Sequence, residues 1–241
     1  MQKIRALLFD LDDTLLDHES AVHLSAQDFY RRHATHLNFS AENFLELWKQ
    51  TSESYHGRVI SGELPLPTAR RMRMQEIFDA GGESIEEIRA DSLYREALEL
   101  YRSRWTTFED VTPFFQRYAK IPKGIITNGS TEQQRLKLKD LGLVDTFDAI
   151  AISEELGHAK PSAAIFHAAV DMLQLPAACC LYVGNLEAHD ARAAQAAGLF
   201  GVWLDRTLPG EYAVIGDLPV VSSLRHLPDV VEEFSLSIQL R

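Results

Sequence analysis

The chain has 241 residues, enough for one large domain or for a domain carrying a sizeable insertion, and its 46% hydrophobic content suits a soluble globular protein with a substantial core. Its formal net charge is −11 and its basic residues are scattered, which argues against nucleic-acid backbone as a partner but leaves room for a locally positive cleft around a small anion. No apolar run approaches the length of a membrane span, and the run after Lys3 and Arg5 is too short for a signal peptide, so no membrane partner and a cytoplasmic location are expected.

Residues 5–9 read as a short buried strand, because a continuous apolar run ending in polar residues fits a central parallel strand. Asp10, Asp12 and Asp13 crowd its carboxyl end, where ligands bind in open α/β sheets. Asp10 and Asp12 are two positions apart, so an extended chain points both to one side. That arrangement is costly unless a cation lies between them or one carries a proton.

Residues 17–105 then show helical periodicity and almost no strand-like segment, which predicts a compact helical insertion. A first helix carries Ala21, Leu24, Phe29 and His33 and could run to about residue 35. Ser40 is the expected N-cap of a second helix through Phe44, Leu47 and Trp48, with breaks at Gly57 and at residues 62–67. The third helix carries Arg70, Arg71, Arg73, Ile77 and Phe78 and stops at Gly81 and Gly82. Residues 84–87 have capping-box form and open a fourth helix through Leu93, Ala97 and Leu100. The three arginines could meet an anionic substrate, but such a cluster is more often a solvated helix face. Trp48 and Tyr55 could stack a base, yet at helical spacing they read as core.

Strands and helices alternate from there on. Lys123–Thr127 is an apolar strand ending in Thr127, Asn128, Gly129 and Ser130, and the helix after it stops at Gly142. Ala149–Ile152 is a third strand, and Pro161 is placed at the first position of the next helix. Residues 179–183 form a fourth strand ending at Gly184 and Asn185. The two cysteines, Cys179 and Cys180, would point to opposite faces of it, so they read as buried free thiols. A helix ending at Gly198, a fifth strand Phe200–Leu204, a sixth at Val220 and Val221, and a last helix from about Ser223 complete the pattern. The expected fold is α/β: a three-layer, parallel, Rossmann-like sheet core from residues 1–16 and 106–241, with residues 17–105 as an inserted helical bundle.

Each strand end carries chemistry. Asp10 and Asp12 lie after the first, Thr127 and Asn128 after the second, Lys160 beyond the third, and Asn185 with Asp190 after the fourth. A carboxylate nucleophile, a second acid, a hydroxyl, a lysine and further acid form a coherent set for phosphoryl transfer. These four stretches, in this order, resemble the four motifs of the haloacid dehalogenase superfamily, the aspartate-nucleophile hydrolases, and the helical insertion matches that family's first type of cap. The wording around Ser153, Glu154, Glu155, Lys160, Pro161, Ile165 and Phe166 resembles the subgroup of bacterial pyrimidine 5′-nucleotidases.

The resemblance implies a Mg²⁺-dependent phosphomonoesterase acting on a small phosphorylated metabolite, such as a nucleoside 5′-monophosphate, as a monomer or homodimer. Asp10 would be nucleophile and metal ligand. Asp12 would carry the proton and offer its main-chain carbonyl to the metal. Thr127, Asn128 and Lys160 would hold the phosphoryl group, and Asn185 and Asp190 would complete the metal site. One departure stands out: family phosphatases usually place an acid where this chain has Asn185. That change leaves two alternatives open, a metal-independent 2-haloacid dehalogenase and a catalytically impaired binding protein.

Overall fold

The computed structural model describes residues 4–237. The first strand, β1 (Ala6–Phe9), is fully buried, as its unbroken apolar run requires. The chain then forms four helices, α1 (His18–His33), α2 (Ala41–Ile60), α3 (Leu66–Ala80) and α4 (Glu87–Arg102). After α5 (Val111–Arg117) it alternates through β2 (Lys123–Thr127), α6 (Thr131–Asp140), β3 (Ala149–Ile152), α7 (Ser153–Leu156), α8 (Ala163–Met172), β4 (Cys180–Gly184), α9 (Arg192–Ala196) and β5 (Phe200–Leu204). A hairpin, β6 (Tyr212–Ile215) and β7 (Leu218–Val221), and α10 (Leu227–Ser237) follow.

The chain divides into two compact units, one formed by the segments up to Asp17 and from Thr106 onward, the other by His18–Trp105. In the first, the described residues build a seven-stranded sheet in the order β3-β2-β1-β4-β5-β7-β6. It is parallel apart from the β6–β7 pair. Side chains alternate across it. Ala6 and Leu8 pack with Ile126, Ile165, Phe166 and Tyr182 on one face. On the other, the Phe9 ring meets Phe114 and Phe115 of α5 edge-on at 5.9 and 5.4 Å. Both faces are therefore covered, and β1 lies at the centre between β2 and β4, where the strand order changes direction.

The second unit is a helical bundle around Phe29, Phe44, Trp48, Met74, Phe78 and Leu93. The arginines of α3 hold this bundle together. Arg73 is buried 4.3 Å over the Trp48 ring and donates to the Trp48 carbonyl. Arg71 pairs with Asp91 and Glu87, and Arg70 stacks on Tyr94. Trp48 and Tyr55 are buried, as their spacing implies.

Local departures from expectation have physical causes. Gly57 does not break α2, which continues to Ile60; a single glycine in a helix costs only about 1 kcal/mol. The capping box at residues 84–87 does not form. Ile85 is buried, its carbonyl accepts from the Gln75 side chain, and the chain stays extended until Glu87. Pro161 precedes α8 through a cis peptide with Lys160, and Ser162 is the N-cap instead. Cys179 closes a 3₁₀ turn before β4, and both thiols are buried and free. The sixth strand expected at Val220 is the end of β7, paired with an unforeseen antiparallel edge strand, β6.

Candidate active site

Asp10 directly follows β1, and its main-chain N–H donates to Val183 on β4 at 2.9 Å, so the sheet sets its position. The carboxyl is buried. Oδ1 accepts from the Lys160 ammonium at 2.6 Å, and among the described residues Oδ2 meets only the Thr14 hydroxyl, at 3.4 Å. Thr14 is itself fully buried, and Asp13 turns the chain with φ of 58°, a left-handed conformation that aspartate tolerates better than most residues. Asp13 and Thr14 thus shape the loop.

Lys160 is the centre of a buried ionic cluster. Its ammonium has three N–H donors. They meet Asp10 Oδ1 at 2.6 Å, Asp190 Oδ1 at 2.7 Å and the Tyr182 hydroxyl oxygen at 3.1 Å. The Asn128 carboxamide fixes this loop by a reciprocal pair, accepting from Lys160 N at 2.8 Å and donating to Lys160 O at 3.1 Å. Burial pushes the Asp10 carboxyl up to about 7, against the pull of Lys160 and with a further push from Asp190. Burial works to lower the Lys160 ammonium, but Asp10 and Asp190 outweigh it and raise it, so the lysine keeps its proton. Burial, reinforced by the charges of Asp190 and Asp10, raises the Tyr182 phenol well above its ordinary value, and it acts as a donor to Asp190 at 2.8 Å.

Asp190 has no exposed surface. Its Oδ1 accepts from Lys160 and Tyr182, and its Oδ2 accepts from Leu186 N at 2.9 Å. Gly184 allows this approach: a Cβ there would lie 2.4 Å from Asp190 Cγ. Both oxygens of Asp190, expected at the metal site, are thus hydrogen-bonded inside the protein, and Oδ1 brackets the Lys160 ammonium. Among the described residues no group of three or more His, Cys, Asp or Glu could hold a metal ion; the expected ligands also include the Asp12 main-chain carbonyl and the Asn185 carboxamide.

Among the described residues, Asp10 and Asp12 are each paired with a different lysine. The Lys137 ammonium of α6 lies 2.7 and 2.8 Å from the two Asp12 oxygens. Gln134, one turn earlier, donates to Asp12 Oδ2 at 3.1 Å, to the Thr127 hydroxyl at 2.6 Å and to Asn128 O at 3.1 Å. Lys137, Gln134 and Tyr182 are site residues that the strand-end pattern does not reveal. The signal available for two of them was the three-residue spacing that puts Gln134 and Lys137 on one helix face beside buried Leu138.

Thr127 is buried at the end of β2 with its hydroxyl in this network. The N–H groups of Gly129 and Thr131 are taken by Ser153 Oγ at 3.0 Å and Glu154 Oε2 at 2.8 Å. The anion-binding donors expected at this helix start thus narrow to Thr127 and Asn128. Asn185 follows β4 beside Asp10, since Phe9 pairs with Val183, and its carbonyl accepts from Trp203 Nε1 at 2.9 Å. For a Mg²⁺ ion, which favours a few hard oxygen donors and retains water, Asp10 Oδ2, the Asp12 carbonyl and the Asn185 carboxamide are chemically suitable.

The chain is 26% identical over 237 residues to (S)-2-haloacid dehalogenase 2 of Pseudomonas sp. (strain CBS-3), covering 96% of this chain and 97% of that protein. It is 37% identical over 109 residues to the pyrimidine 5′-nucleotidase YjjG of Escherichia coli, covering 45% of this chain and 48% of that one. The crystal structure of the HAD-hydrolase YfnB from Bacillus subtilis bound to magnesium superimposes with a TM-score of 0.72 at 22% identity, covering 95% of this chain and 99% of that one. Residues 4–198 match the haloacid dehalogenase-like hydrolase model, and the strand ends carrying Asp10, Thr127, Lys160 and Asp190 fall within that span: the chain belongs to the haloacid dehalogenase-like hydrolases.

Proposed function

We propose that this hydrolase is a Mg²⁺-assisted phosphomonoesterase that works through an aspartyl-phosphate intermediate on a small phosphorylated metabolite, with nucleoside 5′-monophosphates as the first class to test. The observation that carries the proposal is Asp12, an acid two residues beyond the nucleophile with a lysine of its own. A phosphate ester expels an alkoxide, which needs a proton; a halide does not.

Charge supports the same reading. With Asp12 carrying the proton for the leaving group, the Asp10 and Asp190 carboxylates balance the Lys137 and Lys160 ammonium groups, so the site has no positive charge to spare. A phosphate monoester adds roughly two more negative charges near neutral pH. A divalent cation offsets that excess. When bound, Mg²⁺ supplies Lewis-acid neutralisation of the phosphoryl oxygens, held by Asp10, the Asp12 carbonyl and Asn185.

In the first half-reaction an Asp10 oxygen attacks phosphorus while Lys160 steadies the carboxylate. The phosphorus–ester oxygen bond breaks, and Asp12 gives its proton to the departing oxygen. In the second, Asp12 takes a proton from water, the water oxygen attacks phosphorus, and the bond to Asp10 breaks to release phosphate. The Thr127 hydroxyl and Asn128 hold the phosphoryl oxygens throughout.

A second reading rests on Asn185 and on the near full-length similarity to a haloacid dehalogenase. Two assays separate them: phosphate release from nucleoside monophosphates and sugar phosphates with Mg²⁺, and halide release from a 2-haloacid without metal. Phosphate release that disappears in Asp10→Asn supports the phosphatase; halide release alone refutes it.

A further inference from the structure

From the geometry of α6 we infer that Lys137 is a positioning residue for the proton-carrying step, holding the Asp12 carboxyl in its working orientation. This rests on the phosphatase reading. The ammonium contacts both Asp12 oxygens, at 2.7 and 2.8 Å, so it fixes the plane of the carboxyl as well as its place. Gln134 adds a bond from the side at 3.1 Å and ties the same carboxyl to Thr127, the expected phosphoryl-binding hydroxyl, at 2.6 Å. One face of one helix thus sets the proton carrier and an oxyanion donor at a fixed separation.

A stabilising role does not account for this lysine. Its side chain is only 3% exposed, whereas its partner Asp12 is 27% exposed. Burying an ammonium carries a desolvation penalty that pairing with a partly exposed carboxylate does not repay in full, and an apolar residue on that helix face would pack at no such penalty. Leu138, the next residue on the same face, is such a residue. The lysine makes sense if the orientation of Asp12 matters.

The bonds affected are those of ester cleavage: the Asp10–phosphorus bond forms, the bond from phosphorus to the leaving oxygen breaks, and the Asp12 proton passes to that oxygen. A well-placed general acid is worth roughly 100- to 10,000-fold for a poor leaving group. It is worth little for p-nitrophenolate, which leaves without a proton.

The experiment compares Lys137→Met with the wild type on an alkyl phosphate monoester and on p-nitrophenyl phosphate, both at saturating Mg²⁺. We expect the first-turnover rate of alcohol release from the alkyl ester to fall by roughly 30-fold or more, and the first-turnover rate of p-nitrophenolate release, which precedes the hydrolysis step common to both esters, to fall by less than about threefold. Because both rates come from one preparation, their ratio is independent of the folded fraction. If Lys137→Met is insoluble, Lys137→Gln, which keeps a donor but loses the charge, is read by the same ratio. An equal fall on both esters, or no fall on either, overturns the proposal while leaving the phosphatase reading intact. A wild type that cleaves neither ester overturns both.

Discussion

Tyr182→Phe tests the buried cluster most sharply, because it removes one hydroxyl and nothing else. The ring is fully buried and packs edge-on against Phe166 at 5.1 Å, contacts that phenylalanine keeps. What goes is the acceptor for the third Lys160 N–H at 3.1 Å and the donor to Asp190 at 2.8 Å. Asp190 retains Lys160 and Leu186 N, but the ammonium loses one of three partners in a site with no exposed surface at Asp190. Hydrogen bonds to charged groups are worth about 1.5–3 kcal/mol, so a loss of about 2 kcal/mol is expected. For a chain of this size that is roughly 4–8 °C in Tm. In the proposed mechanism Lys160 also steadies the nucleophile, so kcat should fall about tenfold, an effect of about 1.4 kcal/mol in the barrier. Thermal unfolding of the two proteins side by side, with phosphate release on the same samples, measures both. A Tm change under about 1 °C would refute the reasoning, because the third N–H would then have found another partner without penalty.

Two other substitutions probe separate parts of the unit. Asn185→Asp restores a carboxylate beside Asp10 and should lower the Mg²⁺ concentration for half-maximal rate by roughly tenfold, read from a metal titration; no change means that Asn185 does not face the ion. Asp110 is buried and accepts from Arg206 at 3.0 and 3.2 Å, from Ser223 and from Leu224 N; burial alone would raise its carboxyl, but these bonds outweigh it and hold it below the ordinary carboxylate range. A depressed carboxyl stabilises the fold above the unfolded-state value of about 3.9 and loses that contribution as pH falls through the folded-state value. Asp110→Asn should therefore cost about 3 kcal/mol at pH 7, and the gap in Tm from wild type should narrow below about pH 4. A gap that is constant from neutral to strongly acidic pH contradicts the assignment.

The parts of this molecule legible in the sequence were those written in local pattern. Apolar runs gave away β1 to β5, and a strand end bearing acid, hydroxyl or lysine marked Asp10, Thr127, Lys160 and Asp190. The helical insertion followed from periodicity. The parts that stayed hidden depend on partners far along the chain. Ile85 is drawn into the bundle core and delays α4, which no capping rule can register. The edge strand β6 is mostly exposed and carries little of the apolar signature that marks a buried strand. Lys137 looks like one more basic residue on a polar helix, and its pairing with Asp12 spans 125 positions. Tyr182 sits in an apolar strand where nothing local distinguishes a catalytic neighbour from core.

The buried charges carry their own argument about what the fold is for. Replacing buried ion pairs by apolar residues of similar size is often neutral or stabilising, so a chain selected for stability alone has little reason to keep Lys160, Asp10 and Asp190 together in its interior. Asp10 makes the point most clearly. Burial pushes its carboxyl up to about 7, so near neutral pH the protonated and ionised forms compete, and Lys160 is the main group that favours the ionised one. A carboxyl whose charge is this costly is a candidate functional group, and it lies at the sheet's switch point, beside the strand end that bears Asn185. Stability is given up here at one place, and that place is where the proposed mechanism puts its nucleophile.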